Sequence, residues 1–372
     1  MKNRINGKSV WWFLLLLLSA ESWAQQGAEL MEPGSMKRGA TVDPLVWDGP
    51  RTGPAAQVNR TLVYIAEDLR NAGILTVGEA VREAAKAIGW QVHFLDIGLA
   101  DAQREAVFDR ALALKPDGLI FGGGDAVTNK EQLQRFQRAG IPVVGWHTGP
   151  SPGPIAGTPV LFNVTTDSLS VARRAAEYVI EDSQGKAGVV IFTDSRFAIA
   201  LQKSAAMAEI IRRCAACSLL SVEDVALNDA ARAMPVITKS LLERYGERWT
   251  HSLGINDLYF DHAVATLVMM GRFPDGAPAN VSAGDGSPSA FMRISNRSYQ
   301  LATVPEPLFL QGWQLVDELN RIFSGVAPSG YVNPPFLVTG DNIRGSMNVH
   351  QVFDPANDYR NYYRLIWSGG AP

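Results

Sequence analysis

Short apolar runs rich in β-branched residues alternate with single amphipathic helices along most of this chain, and few folds accept that alternation. "TLVYIA" (61–66) reads as a buried parallel strand. Behind it Ile74, Val77, Val81, Ala84, Ala85 and Ile88 fall at helical spacing, and Gly89 ends the helix. "WQVHFLDI", "DGLIFGG" and "IPVVGW" follow as strands, separated by a helix running to Ala113 and another over 130–139. The scheme then repeats. "AGVVIF", "SLLSVEDV", "THSLGI", "ANVSAGD" and "YQLATV" read as strands, with helices over 199–211, 234–245, 261–270 and 311–323. The expected fold class is α/β, two doubly wound lobes in series.

The opening "MKNRINGKSVWWFLLLLLSAESWA" combines Lys2, Arg4 and Lys8 with an apolar block over 10–18 and small residues at Ser22 and Ala24. It reads as a secretory leader spanning 1–24, since the apolar block is only about half a bilayer span. Removing it deletes three basic residues and one acidic residue, taking the formal charge from −3 to −5. A mildly acidic exported chain without a basic run excludes nucleic acid as partner. Residues 25–58 form a Gly- and Pro-rich extension in which Trp47 is the candidate for anchoring onto the body. Cys214 and Cys217 follow a helix, the wrong end for a thiolate-stabilised redox pair, and lack the other half of a zinc site. A local disulfide at the helix end is the preferred reading.

Ligands of doubly wound sheets bind at the carboxyl ends of strands, so the residues there are the functional candidates. The first half offers Glu67, Asp68, Arg70, Asn71, Asp125, Trp146 and His147. The second offers Asp194, Arg196, Phe197, Asn256, Asp257, Tyr259, Asp285 and Glu306. Carboxylates and Asn can pair with hydroxyls while aromatic faces meet C–H surfaces, with Trp146, Phe197 and Tyr259 assigned to the wall. Asp257 reads as the cap of the helix behind it, Asp167 likewise, and Asp125 as cap or contact. Phe260, Phe309 and Trp313 read as core, and His262 as structural.

Other chemistries fit poorly. "GGGD" (122–125) lacks dinucleotide-binding spacing and is better explained by close backbone approach. No H-x-x-x-H occurs, and the one G-x-S-x-G match, "GPSPG" (149–153), has proline on both sides of its serine and no helical pattern directly behind it, unlike a nucleophile turn between strand and helix; neither a metal nor any other cofactor is expected. An exported enzyme is the outsider among the readings.

Three segments in order, "INDLYFDHAVATL", "SAGDGSPSA" and "LATVPEPLFLQG", resemble the type I periplasmic solute-binding proteins of the ribose/galactose-binding class, which serve sugar ABC transporters. The resemblance runs from about residue 60 to 339. It implies hydroxyl-holding roles for Asn256 and Asp285, with Asp125 and Asn71 as further contacts. Glu306 stands where the class usually has Gln. Gly73 and Ile74 stand where it has stacking aromatics, and its arginine falls near Leu201, with Arg196 as substitute. It further implies three crossings, placed near 147–149, 304–307 and 335–337. The N-terminal lobe is then 59–148 plus 307–336, and the C-terminal lobe with tail is 149–306 plus 337–372. The expected protein is periplasmic and monomeric. It closes on a small sugar or polyol and serves either an ABC permease or a membrane sensor. Several carboxylates in one cleft require either pairing by Arg70 and Arg196 or a cationic ligand such as an amino sugar.

Overall fold

The computed structural model describes residues 46–98 and 103–370; the expected leader and most of the extension lie outside the described residues. The first lobe is a parallel sheet of β1 (Thr61–Ala66), β2 (Gln91–Asp96), β3 (Gly118–Gly122), β4 (Val143–Trp146) and β5 (Val160–Val164) in the order β2-β1-β3-β4-β5. Helices α1 (Ala72–Ala87), α2 (Arg104–Ala113) and α3 (Lys130–Arg138) connect its strands. The second lobe holds β6 (Gly188–Thr193), β7 (Ser218–Asp224), β8 (His251–Gly254), β9 (Ala279–Ser282) and β10 (Gln300–Thr303). Its helices are α4 (Ser168–Asp182), α5 (Ala198–Arg213), α6 (Ala230–Tyr245), α7 (Leu258–Met269) and α8 (Pro288–Ser295). Then α9 (Leu308–Phe323) returns to the first lobe, and β11 (Val338–Thr339) pairs antiparallel with β10, giving the order β11-β10-β9-β8-β6-β7.

Both faces of each sheet are covered, which is why the central strands are apolar throughout. In β1, Val63 and Ile65 pack with Phe108, Phe121 and Phe136, whereas Leu62 and Tyr64 turn to the face covered by α1 and α9. At an apolar burial gain of about 25 cal/mol per Å², these layers are the main stabilising term. Asp167 caps α4 by accepting from the Ser170 amide at 2.8 Å, as its position before the helix predicts. Cys214 and Cys217 are disulfide-bonded at the C-terminal end of α5. Among the described residues, no helix is long and apolar enough to cross a membrane.

Two boundaries differ from expectation. The first crossing lies at 165–167, not 147–149, because β5 pairs parallel with β4 before the chain leaves. The strand is short, Leu161 on it is exposed, and buried Asn163 interrupts its apolar run, so its pattern is weak. Asn163 spends its amide on the loop behind β4, donating to Gly149 O at 3.1 Å and Ser151 O at 2.8 Å. The tail is the second correction. After β11 it passes a turn at Ile343–Gly345 and ends in α10 (Tyr359–Trp367), which packs on α9 of the first lobe, not the second. Trp367 stacks on Trp313 with centroids 5.3 Å apart, and Arg360 Nε donates to Glu83 of α1 at 2.7 Å. Trp47 closes the same aromatic cluster, 5.8 Å from Tyr362 and 5.5 Å from Tyr363. The anchoring role expected for Trp47 is observed.

Candidate functional site

The carboxyl ends of both sheets face a shared cleft of about 360 Å³, at the lower end of the range for small-molecule pockets. From the first lobe, Asp68, Arg70 and Asn71 reach it from the loop behind β1, and Trp146 and His147 from the end of β4. From the second, Arg196 and Phe197 reach it behind β6, Asn256 behind β8 and Asp285 behind β9. With Glu67, which also lines it, ten of the fifteen strand-end candidates reach the cleft.

Asp194 and Asp257 do not reach it, and neither do three of the expected contacts. Asp125 Oδ1 accepts from the Val127 and Thr128 amides at 2.9 and 2.8 Å, so it closes its own turn outside the cleft. Tyr259 is wholly buried in the second lobe, where its hydroxyl donates to Val225 O at 2.8 Å. Glu306 is also wholly buried, beneath the cleft at the second crossing.

Glu306 anchors a polar network joining all three crossings. The Thr166 hydroxyl and Gln311 Nε2 donate to its Oε2, the latter at 2.6 Å. Gln311 Nε2 also reaches Asn333 at 3.1 Å, while Gln311 Oε1 accepts from Trp146 Nε1 at 2.6 Å. His147 Nε2 stands 3.3 Å from Glu306 Oε1, an ion-pair distance without hydrogen-bond alignment. Burial alone would raise the Glu306 carboxyl. The charge of His147 beside it, with that of Lys203 and the Thr166 hydroxyl bond, outweighs that and holds it at about 2.

The acids around the cleft are met from within the protein. Arg70 Nε donates to Asp68 at 2.9 Å. Arg104 grips Glu67 through two bonds of 2.8 and 2.6 Å. Arg196 grips Asp194 through two bonds of 2.9 and 2.6 Å. Asp285 Oδ2 accepts from Asn256 Nδ2 at 2.6 Å. The cap roles in this segment are exchanged relative to expectation: Asn256 Oδ1 takes the Leu258 amide at 2.9 Å, and Asp257 makes no cap bond. Asp257 instead turns inward, accepting from the Gly286 amide at 2.8 Å and Gln300 Nε2 at 2.7 Å, which fixes the turn carrying Asp285. Burial lifts its carboxyl to about 6 against those bonds.

Sequence reasoning missed Lys203 as a cleft residue. It is 3% exposed, lines the cleft and donates to Ala283 O at 2.7 Å. Its signal was present, since Lys203 interrupts the buried stripe of Ala200, Met207 and Ile211 on α5. The expected arginine position near Leu201 is exposed surface. His262, read as structural, also lines the cleft. Gly123, with φ +81°, explains the glycine run: a Cβ there would lie 2.3 Å from Ile74 Cδ1.

Residues 62–326 match the family described as periplasmic binding protein domain. The chain belongs to this family. Among solved structures of similar fold is an ABC transporter solute-binding protein from Agrobacterium vitis bound with α-D-tagatopyranose. It has TM-score 0.69 and 15% identity, covering 79% of this chain and 99% of that one. The arabinose ABC transporter binding protein from Shewanella sp. ANA-3, bound to L-arabinofuranose, gives TM-score 0.66 and 17% identity over 76% and 92% of the two chains. A second solute-binding protein from Agrobacterium vitis, with bound allitol, gives TM-score 0.65 and 19% identity over 77% and 97%. The comparison with curated proteins gave no match.

Proposed function

We propose that this periplasmic binding protein is exported by its leader, captures a neutral polyhydroxylated solute between its lobes, and delivers it to an ABC transporter. The internal pairing of the acids carries this reading. Of the carboxylates lining the cleft, Glu67 and Asp68 are each held by an arginine and Asp285 is met by the Asn256 amide, so a cationic ligand finds most of its expected partners already taken. Neutral hydroxyls suit such pairs, because a carboxylate held by one arginine still has lone pairs to accept with. Asn71, Asn256 and Asp285 are the polar contacts, Arg70 and Arg196 orient neighbouring oxygens, and His147 links the ligand to the hinge network. The sugars and the polyol bound in the structures of similar fold support this assignment.

A thermal-shift screen of the mature protein against pentoses, hexoses, polyols and amino sugars tests it. A ligand at about a hundred times its Kd adds about 2.7 kcal/mol, a shift of several degrees. Shifts with neutral sugars or polyols, insensitive to salt, are expected. Shifts confined to amines and weakening with salt would overturn the neutral reading. Asp285→Asn, a residue type that tolerates the left-handed backbone at φ +38°, should weaken binding about tenfold or more with little change in the free protein's Tm.

A further inference from the structure

The geometry points to a ligand that carries an alkyl group, a deoxy sugar or short alkyl glycoside in preference to a fully hydroxylated hexose. This rests on the cleft being the solute site proposed above. The second-lobe wall of the cleft is built from branched aliphatic side chains at the starts of three elements: Ile199 on α5, Leu227 in the turn before α6, and Leu258 on α7. Ile255 continues it from behind β8, and Ile74 faces it from α1. Each of Ile199, Leu227 and Leu258 is only partly buried in this structure, so the cleft itself is where they can gain cover.

Two further observations separate this wall from a sugar-stacking surface. The flat faces that suit the C–H side of a pyranose are largely occupied. Trp146 is 1% exposed and stacked against His147 at 4.0 Å and 7°. The Arg196 guanidinium stands 5.4 Å from the Phe197 ring centre. Part of the polar lining is also spent within the protein: Asn71, Asn256 and Asp68 each give at least one atom to an internal hydrogen bond. A hydroxyl pressed against the aliphatic faces of Leu227 and Leu258 gains no bond from them, and Asn228 and His262 beside them are the polar neighbours it would have to turn towards, whereas a methyl there gains apolar burial.

Isothermal titration of matched pairs reads this out. 6-Deoxyhexoses are compared with their parent hexoses, and methyl and ethyl glycosides with the free sugars; the two arms distinguish a deoxy ring from an aglycone. We expect one arm to show about tenfold tighter binding by the alkyl-bearing member, and that preference to shrink severalfold in Leu258→Asn. Ile199→Thr, a change of similar shape on a partly exposed helix start, repeats the measurement if Leu258→Asn fails to fold. Equal or tighter binding of the parent in both arms overturns the alkyl assignment and leaves the solute site standing. Failure of both members of every pair, and of every polyol, overturns the site reading itself.

Discussion

Asp285 Oδ2 accepts from Asn256 Nδ2 at 2.6 Å and lies 2.8 Å from the point where a Cβ on Gly73 would sit. One carboxylate oxygen therefore joins the second lobe's polar turn to the first turn of α1, where the helix end favours negative charge. A side chain at Gly73 would force the Asp285 carboxylate to shift.

Gly73→Ala should separate stability from closure. Alanine in a helix is favoured over glycine by about 1 kcal/mol, so the Tm of the free protein should hold or rise. The added methyl pushes against Asp285, so solute affinity should fall about tenfold. Calorimetry on both forms checks this; unchanged affinity would mean the lobes do not meet at this point when solute is bound.

Lys203→Met should weaken binding at least as much as any single change at the rim. The ammonium holds Ala283 O at the root of the Asp285 turn and lowers the Glu306 carboxyl. Methionine keeps the length of the side chain and removes both effects. Binding of a neutral solute that survives this change would confine Lys203 to a structural role.

Glu306 and Asp257 should leave opposite marks on acid stability. The folded Glu306 carboxyl, at about 2, lies below its ordinary 4.5, so its contribution is full above 4.5 and is lost as pH falls through 2. The folded Asp257 carboxyl, at about 6, lies above its ordinary 3.8, so its contribution is full below 3.8 and is lost as pH rises through 6. Each is on the order of 3 kcal/mol. Denaturation midpoints against pH should flatten below 4.5 in Glu306→Gln and between 3.8 and 6 in Asp257→Asn.

Trp367→Ala should be among the most damaging changes in the tail. It removes a 4% exposed indole from Trp313 and leaves Asp317 without the donor that reaches it at 2.8 Å. A loss of about 3–5 kcal/mol follows, a Tm drop of roughly 10 °C. Affinity measured well below that Tm should fall only severalfold, through loosening of the tail, because the indole packs against α9 away from the cleft.

Legibility in the sequence followed how local each signal was. Strands such as β1 and β6, buried on both faces, announce themselves as unbroken apolar runs, and their helices by period. The polar residues at their ends could be gathered from chain order alone, which is why Asn256, Asp285, Arg196 and Asn71 could be placed at the cleft. β5 was missed because Asn163 breaks its run to satisfy a distant loop. Asp125 and Tyr259 stand at the right strand ends, but their side chains are claimed by a turn and by Val225 O, choices that depend on packing. Asn256 and Asp257 are adjacent acceptors. Which one caps α7 is decided by the turn at Gly286, a contact 29 residues away.

The path of the tail has a mechanical meaning. Three strand-end crossings alone form an axle about which the lobes could swing widely. A fourth length of chain, leaving the second sheet at Thr339 and fastened to the outside of the first lobe by Arg360 and Trp367, is a check strap set off that axle. Such a strap should shorten the arc through which the empty protein opens. A jaw with less travel gives up less freedom when it shuts, so more of each contact with solute is expressed as affinity.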